Sequence, residues 1–96
     1  MNAIDIIKTG KGKVVDVRSH DEFVSGNVPG SINIPLPEVA GRMEEFRSME
    51  GPFLMVCASG NRSGIASMML QREGIESYNA GGWSDFNAKM SAVQMS

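Results

Sequence analysis

Phe53-Leu54-Met55-Val56-Cys57-Ala58-Ser59-Gly60-Asn61-Arg62-Ser63-Gly64 is the stretch that decides the fold. A short apolar run ends on the only cysteine of the chain, a loop of small residues follows, and a helical pattern begins at Arg62 or Ser63. An unbroken apolar run of this length fits a strand covered on both faces, as in a parallel sheet. The glycine and small side chains of the loop let successive backbone N–H groups turn inward as an anion nest. The helix behind them aims its positive end at the same point, and Arg62 adds a permanent charge. A thiol held there has dipoles around it that favour its thiolate.

Outward from this stretch, strand and helix patterns alternate. A short helix is expected over residues 3–9, capped by Asn2, with Ile4 and Ile7 on one face and Gly10 and Gly12 ending it. Val14-Val15-Asp16-Val17 reads as a strand. Ser19-His20-Asp21-Glu22 matches a capping box for a helix stopped by Gly26-Asn27. Pro29-Gly30 suits the centre of a type II turn, and Ser31 to Ile34 alternates as a strand. Pro37 fits the first position of a helix whose Val39, Met43 and Phe46 share a face, and Gly51-Pro52 breaks it.

Beyond the loop, the helix runs to Glu73 with Ile65, Ala66, Met68, Met69 and Leu70 as its apolar face. Gly74 is its left-handed cap, with Leu70 and Ile75 in the Schellman contact positions. Tyr78 marks a short strand, Gly81-Gly82 a turn, and Trp83, Phe86 and Met90 the face of a last helix that frays at Met95-Ser96. This order predicts an α/β sandwich, with a small, mainly parallel sheet, helices on both faces and right-handed crossovers. Ligands of such sheets bind beyond the carboxyl ends of the strands, and Cys57 stands at one of them.

Ninety-six residues make a single domain, 1–96. With a net charge of −2 and no Lys/Arg cluster, neither nucleic acid nor an anionic membrane is expected as a partner. The longest apolar stretch, Phe53 to Ala58, is far too short to span a bilayer. The N-terminal residues carry no signal-peptide pattern, and one cysteine makes no internal disulfide, so a cytoplasmic location is the default.

A lone cysteine is most often a small buried hydrophobe. Its position argues otherwise here. An ordinary thiol is only about 3% ionised at neutral pH, and a shift of roughly two units, worth about 2.7 kcal/mol, makes it mostly thiolate. One helix terminus supplies about 0.3–1 kcal/mol, so several N–H groups and Arg62 must supply the rest. No general base is then needed. His20, the only histidine, reads as a solvated surface residue in the first turn of a helix. A zinc site fails on ligand count. Gly10-Lys11-Gly12-Lys13 precedes a strand rather than following one, and is a turn rather than a phosphate loop. Asp16, in an apolar strand, needs a partner, and Arg18 shares its end of that strand. A structural ion pair is the favoured reading, with an effect on the field around Cys57 as the alternative. The eight methionines fall mainly on helical faces as core filler.

Together these residues resemble the rhodanese domain family of sulfurtransferases. The likeness runs through Val14-Val15-Asp16-Val17-Arg18, Glu22-Phe23 and Gly26-Asn27-Val28-Pro29-Gly30-Ser31-Ile32-Asn33-Ile34-Pro35. It continues through Cys57 to Ser63 and ends at Gly81-Gly82-Trp83. It implies a rhodanese-like three-layer sandwich and a catalytic Cys57 that takes sulfur from a donor such as thiosulfate and carries it as a persulfide. A thiophilic acceptor, cyanide or a thiol, then removes it. Ala58, Ser59, Gly60, Asn61, Arg62 and Ser63 are implied to hold the persulfide and the donor's anionic oxygens, with Asp16 and Arg18 in support. No metal or organic cofactor is implied. The implied partners are a small sulfur-containing anion or persulfide donor and a thiol acceptor.

Two other classes stand beside this one. A rhodanese-like sulfur carrier or binding module acting inside a partner complex is the first. A cysteine-dependent phosphatase or arsenate reductase is the second. It is disfavoured because such loops place five residues between Cys and Arg, whereas four separate Cys57 from Arg62. Asn27 replaces the family's common histidine and Ser31 its alanine, both in a structural turn without expected catalytic consequence.

Overall fold

The computed structural model describes residues 3–95. Its elements are α1 (Ala3–Lys8), β1 (Lys13–Asp16), α2 (His20–Ser25), β2 (Ile32–Asn33), α3 (Leu36–Val39), a 3-10 turn (Ala40–Arg42), α4 (Met43–Ser48), β3 (Phe53–Cys57), α5 (Asn61–Arg72), β4 (Ser77–Gly82) and α6 (Trp83–Met95). The cap at Asn2, the Ile4 and Ile7 side chains and the end at Ser96 lie outside the described residues.

The four strands form one sheet in the order β2-β1-β3-β4, and every pairing is parallel. Side chains alternate across a strand, so β3 feeds both faces. Phe53, Met55 and Cys57 join Val15, Val17, Ile34, Val39, Phe46, Ala66 and Leu70 in one buried cluster, against α3, α4 and α5. Leu54 and Val56 join Ile6, Val14, Val28 and Phe86 in the other, against α1 and α6. The expected α/β sandwich with helices on both faces is what forms. Among the described residues no helix is long and apolar enough to cross a membrane.

Local signals act as their chemistry requires. Ser19 and Glu22 complete the capping box of α2, each accepting from the other's backbone N–H. Ser31 N–H donates to Val28 O at 3.0 Å around a Gly30 at φ +81°, which closes the turn at Pro29-Gly30. Gly74 at φ +74° ends α5, and Ile75 N–H reaches Leu70 O at 3.0 Å, as the Schellman motif demands.

Four expectations need correction. The helix expected from Pro37 is divided, because a 3-10 turn centred on Gly41, a poor helix former, separates α3 from α4. Helix α5 starts at Asn61 rather than at Arg62 or Ser63, since Gly60 in the left-handed region turns the chain at once. Its buried face is also different. Ile65 and Met68 are each 53% exposed, while Ser63 and Ser67 are buried. Hydrogen bonds fix that face: the Ser67 and Ser77 hydroxyls meet at 3.1 Å, and Gln71 bonds both Ser67 and the Ser77 carbonyl. Finally, Gly81-Gly82 is no turn. Both residues belong to β4 and pair with Val56 and Cys57 after a bulge that leaves Ala80 unpaired.

Candidate active site

Strand β3 runs between β1 and β4 and delivers Cys57 to the carboxyl end of the sheet. Gly60 then takes φ +99°, a conformation costly for any residue with a Cβ, and folds the loop back over the sulfur. Two backbone donors and one hydroxyl surround Cys57 Sγ. Gly60 N–H lies at 3.0 Å, Ser63 N–H at 3.4 Å and the Ser63 hydroxyl at 3.3 Å. Burial pushes the thiol up. The Ser63 hydroxyl and the backbone N–H groups of Ser63, Ser59 and Gly60 outweigh it, and the thiol ionises below its ordinary value. The residue is 1% exposed. The loop thus brings together a thiol and a nest of amides at the first turn of a helix.

The loop's burial is graded. Ala58, Ser59 and Asn61 are exposed, Gly60 and Arg62 half-buried, and Ser63 buried behind the sulfur. Strand β4 closes the back. A Cβ on Gly82 would lie 2.9 Å from the Ala58 carbonyl oxygen, too close to fit, and Gly60 packs in ordinary contact with Gly81, so the two backbones run close together. Asn79, just before the bulge, joins the parts. Its Nδ2 donates to Gly60 O at 3.0 Å, and its Oδ1 accepts from Gly81 N–H at 3.0 Å and from the Ser63 hydroxyl at 2.7 Å.

Arg62 does not stand free beside the sulfur. Its two terminal nitrogens bond the Glu22 carboxylate at 2.8 and 3.0 Å, tying the first turn of α5 to α2. Asp16 and Arg18 form a buried pair at 2.7 Å. Arg18 also donates to Gly26 O at 2.6 Å and lies 4.7 Å from the Trp83 ring centroid, while Asp16 accepts the Arg18 N–H. The pair anchors the loop after β1 to α2 and α6. His20 is exposed. Among the described residues no three His, Cys, Asp or Glu side chains converge as metal ligands.

The sequence motifs place Glu22 only as a cap and Gly82 only in a turn, and they give Asn79 and Gly64 no role. One signal was available: a glycine inside a helix, as at Gly64, marks a close approach from another element. A Cβ there would lie 3.1 Å from Asn79 Nδ2.

The profile of the rhodanese-like domain family matches residues 2–89. Among curated proteins, the chain is 36% identical over 84 residues to the uncharacterized protein YqhL of Bacillus subtilis, covering 85% of this chain and 66% of that protein. It is 32% identical over 63 residues to the putative sulfur carrier protein YrkF of the same organism, covering 66% of this chain and 34% of that one. It is 33% identical over 39 residues to a human thiosulfate:glutathione sulfurtransferase, covering 41% of this chain and 34% of that protein. The chain therefore spans about two thirds of the first relative's length and about one third of the other two. Among solved structures, a rhodanese with anions from E. coli superposes with a TM-score of 0.70 at 33% identity, covering 77% of this chain and 89% of that one.

Proposed function

The chain belongs to the rhodanese-like domain family, which has sulfurtransferases among its members, and from that premise we propose that it moves sulfane sulfur through a persulfide on Cys57. The Cys57 thiolate attacks the outer sulfur of a donor, thiosulfate or an alkyl persulfide. The donor's S–S bond breaks, sulfite or a thiolate leaves with the electron pair, and a new S–S bond forms on Sγ. A thiolate acceptor, or cyanide, attacks the terminal sulfur and returns the electron pair to Cys57. Atoms and electrons balance over the two steps without an external oxidant, as in other covalent catalysis by exchange.

The observation that carries this reading is the set of donors on Cys57 Sγ from Gly60 and Ser63, which favours the thiolate without a general base. In the proposal residues 1–96 act as one domain in a reducing, cytoplasmic setting. The amides from Ala58 to Ser63 cradle the terminal sulfur, the Arg62–Glu22 pair braces the loop, and Asp16 and Arg18 support it from below. Free thiosulfate turnover, lost in Cys57→Ser, tests the reading.

A second reading, a sulfur carrier that works only in a partner complex, draws on the YrkF relative. Slow thiosulfate turnover beside rapid acceptance of persulfide from a cysteine desulfurase is its expected mark. The phosphatase reading loses ground, because the guanidinium that would grip a phosphate is occupied by Glu22. Hydrolysis of an aryl phosphate that disappears in Cys57→Ser would restore it.

A further inference from the structure

Asn79 lies outside the sequence motifs of the site, yet it touches three parts of the site at once. Its amide orientation is forced: Gly60 O can only accept and Gly81 N–H can only donate, so Nδ2 faces the first and Oδ1 the second. The helix makes room for it. Gly64 occupies an interior position of α5, where glycine is about 1 kcal/mol less favourable than alanine, and a Cβ there would lie 3.1 Å from Asn79 Nδ2.

We propose that Asn79 is a positioning residue for Cys57: it holds the Gly60 peptide in place and gives the Ser63 hydroxyl an alternative acceptor, so that this hydroxyl donates to Asn79 Oδ1 while Cys57 keeps its proton and to Cys57 Sγ once the proton has left. The inference rests on the reading of Cys57 as the nucleophile.

Ser63 has one hydroxyl proton. An amide oxygen only accepts, so the 2.7 Å contact to Asn79 Oδ1 takes that proton. The 3.3 Å contact to Sγ then carries the thiol's own proton, in a chain running Sγ–H to Oγ–H to Oδ1. When the thiol gives its proton to solvent, Sγ becomes an acceptor and the Ser63 hydroxyl turns toward it. Asn79 Oδ1 keeps Gly81 N–H at 3.0 Å, so neither state strands a polar atom. Meanwhile Nδ2 steadies a glycine at φ +99°, whose N–H makes the shortest contact to Sγ.

The charged groups around the loop are Arg62 of α5 with its partner Glu22 on α2, the Asp16–Arg18 pair after β1, and Asp85 of α6, whose carboxylate faces Gly82. All are unchanged in the variants below. Asn79 is exposed, so its truncation opens no core.

The test follows thiolate ultraviolet absorbance against pH, with Cys57→Ser as the blank. In the Ser63→Ala background, where only the hold on Gly60 remains, adding Asn79→Ala moves the titration to higher pH by at least about half a unit. Gly64→Ala improves helix propensity while displacing the amide; in the same background its titration moves the same way without a lower melting temperature. Ser63→Ala alone raises the titration, and raises it further when Asn79 is already alanine, because Oδ1 then no longer competes for the hydroxyl proton. An unmoved titration on adding Asn79→Ala or Gly64→Ala to Ser63→Ala, or an equal Ser63→Ala shift with and without Asn79→Ala, overturns the proposal. Persulfide formation by the wild-type protein is scored separately, so failure here is distinguishable from failure of the proposed function.

Discussion

The guanidinium of Arg62 forms a two-pronged pair with the carboxylate of Glu22, 40 positions earlier in the chain. One carboxylate thus does two tasks. It accepts the Ser19 N–H to finish the cap of α2 and fastens that helix to the first turn of α5. The charge that sequence reading aimed at the sulfur is instead neutralised at the rim.

A pH signature follows. The Arg62 hydrogen bonds, with help from the Ser19 N–H, hold the Glu22 carboxyl down at about 2, against an ordinary value of 4.5. A carboxyl depressed on folding adds stability above its unfolded value, and that contribution is lost as pH falls through the folded one. Glu22→Gln keeps a capping side chain but removes the charge. Its melting temperature is expected below wild type at neutral pH, with the gap closing as pH falls from about 4.5 to about 2. Thermal unfolding across that range checks it; a gap that persists at the acid end contradicts the pairing.

Ser63→Ala removes one donor from the sulfur and leaves Asn79 Oδ1 satisfied by Gly81. A hydrogen bond to a charged group is worth about 1.5–3 kcal/mol, so sulfur transfer at neutral pH is expected to fall about tenfold or more. The loss is largely recovered at higher pH, where the thiolate forms without help. A pH–rate profile displaced upward is the expected result, and a uniform loss at every pH argues against it.

Asp16→Ala leaves Arg18 buried with only the Gly26 carbonyl and the Trp83 face for company. Breaking one partner of a buried pair costs about 3–5 kcal/mol, a large share of a small domain's stability. Urea denaturation measures it. A loss of activity in this variant with unchanged stability would instead assign the pair to the field around Cys57.

Most of the architecture was legible because its signals are local. The apolar run before Cys57, the Ser19–Glu22 box and the Gly74 cap each act within a few residues. What was not legible depends on contacts between elements distant in the chain. The buried face of α5 follows from Ser63 serving Cys57 and Ser67 serving Ser77, so hydropathy misplaced Ile65 and Met68. Arg62 was read from its neighbour Cys57, while its partner lay on α2. Asn79 gains its role only because the bulge at Ala80 brings Gly81 N–H to its own side chain and β4 sets its amide against Gly64.

The central claim is that Cys57 carries sulfur. Intact-protein mass spectrometry after incubation with thiosulfate, or with a glutathione persulfide donor, tests it most directly. The account predicts a gain of one sulfur atom, reversed by cyanide or dithiothreitol and absent in Cys57→Ser; no gain with either donor, or a gain that persists in Cys57→Ser, contradicts it.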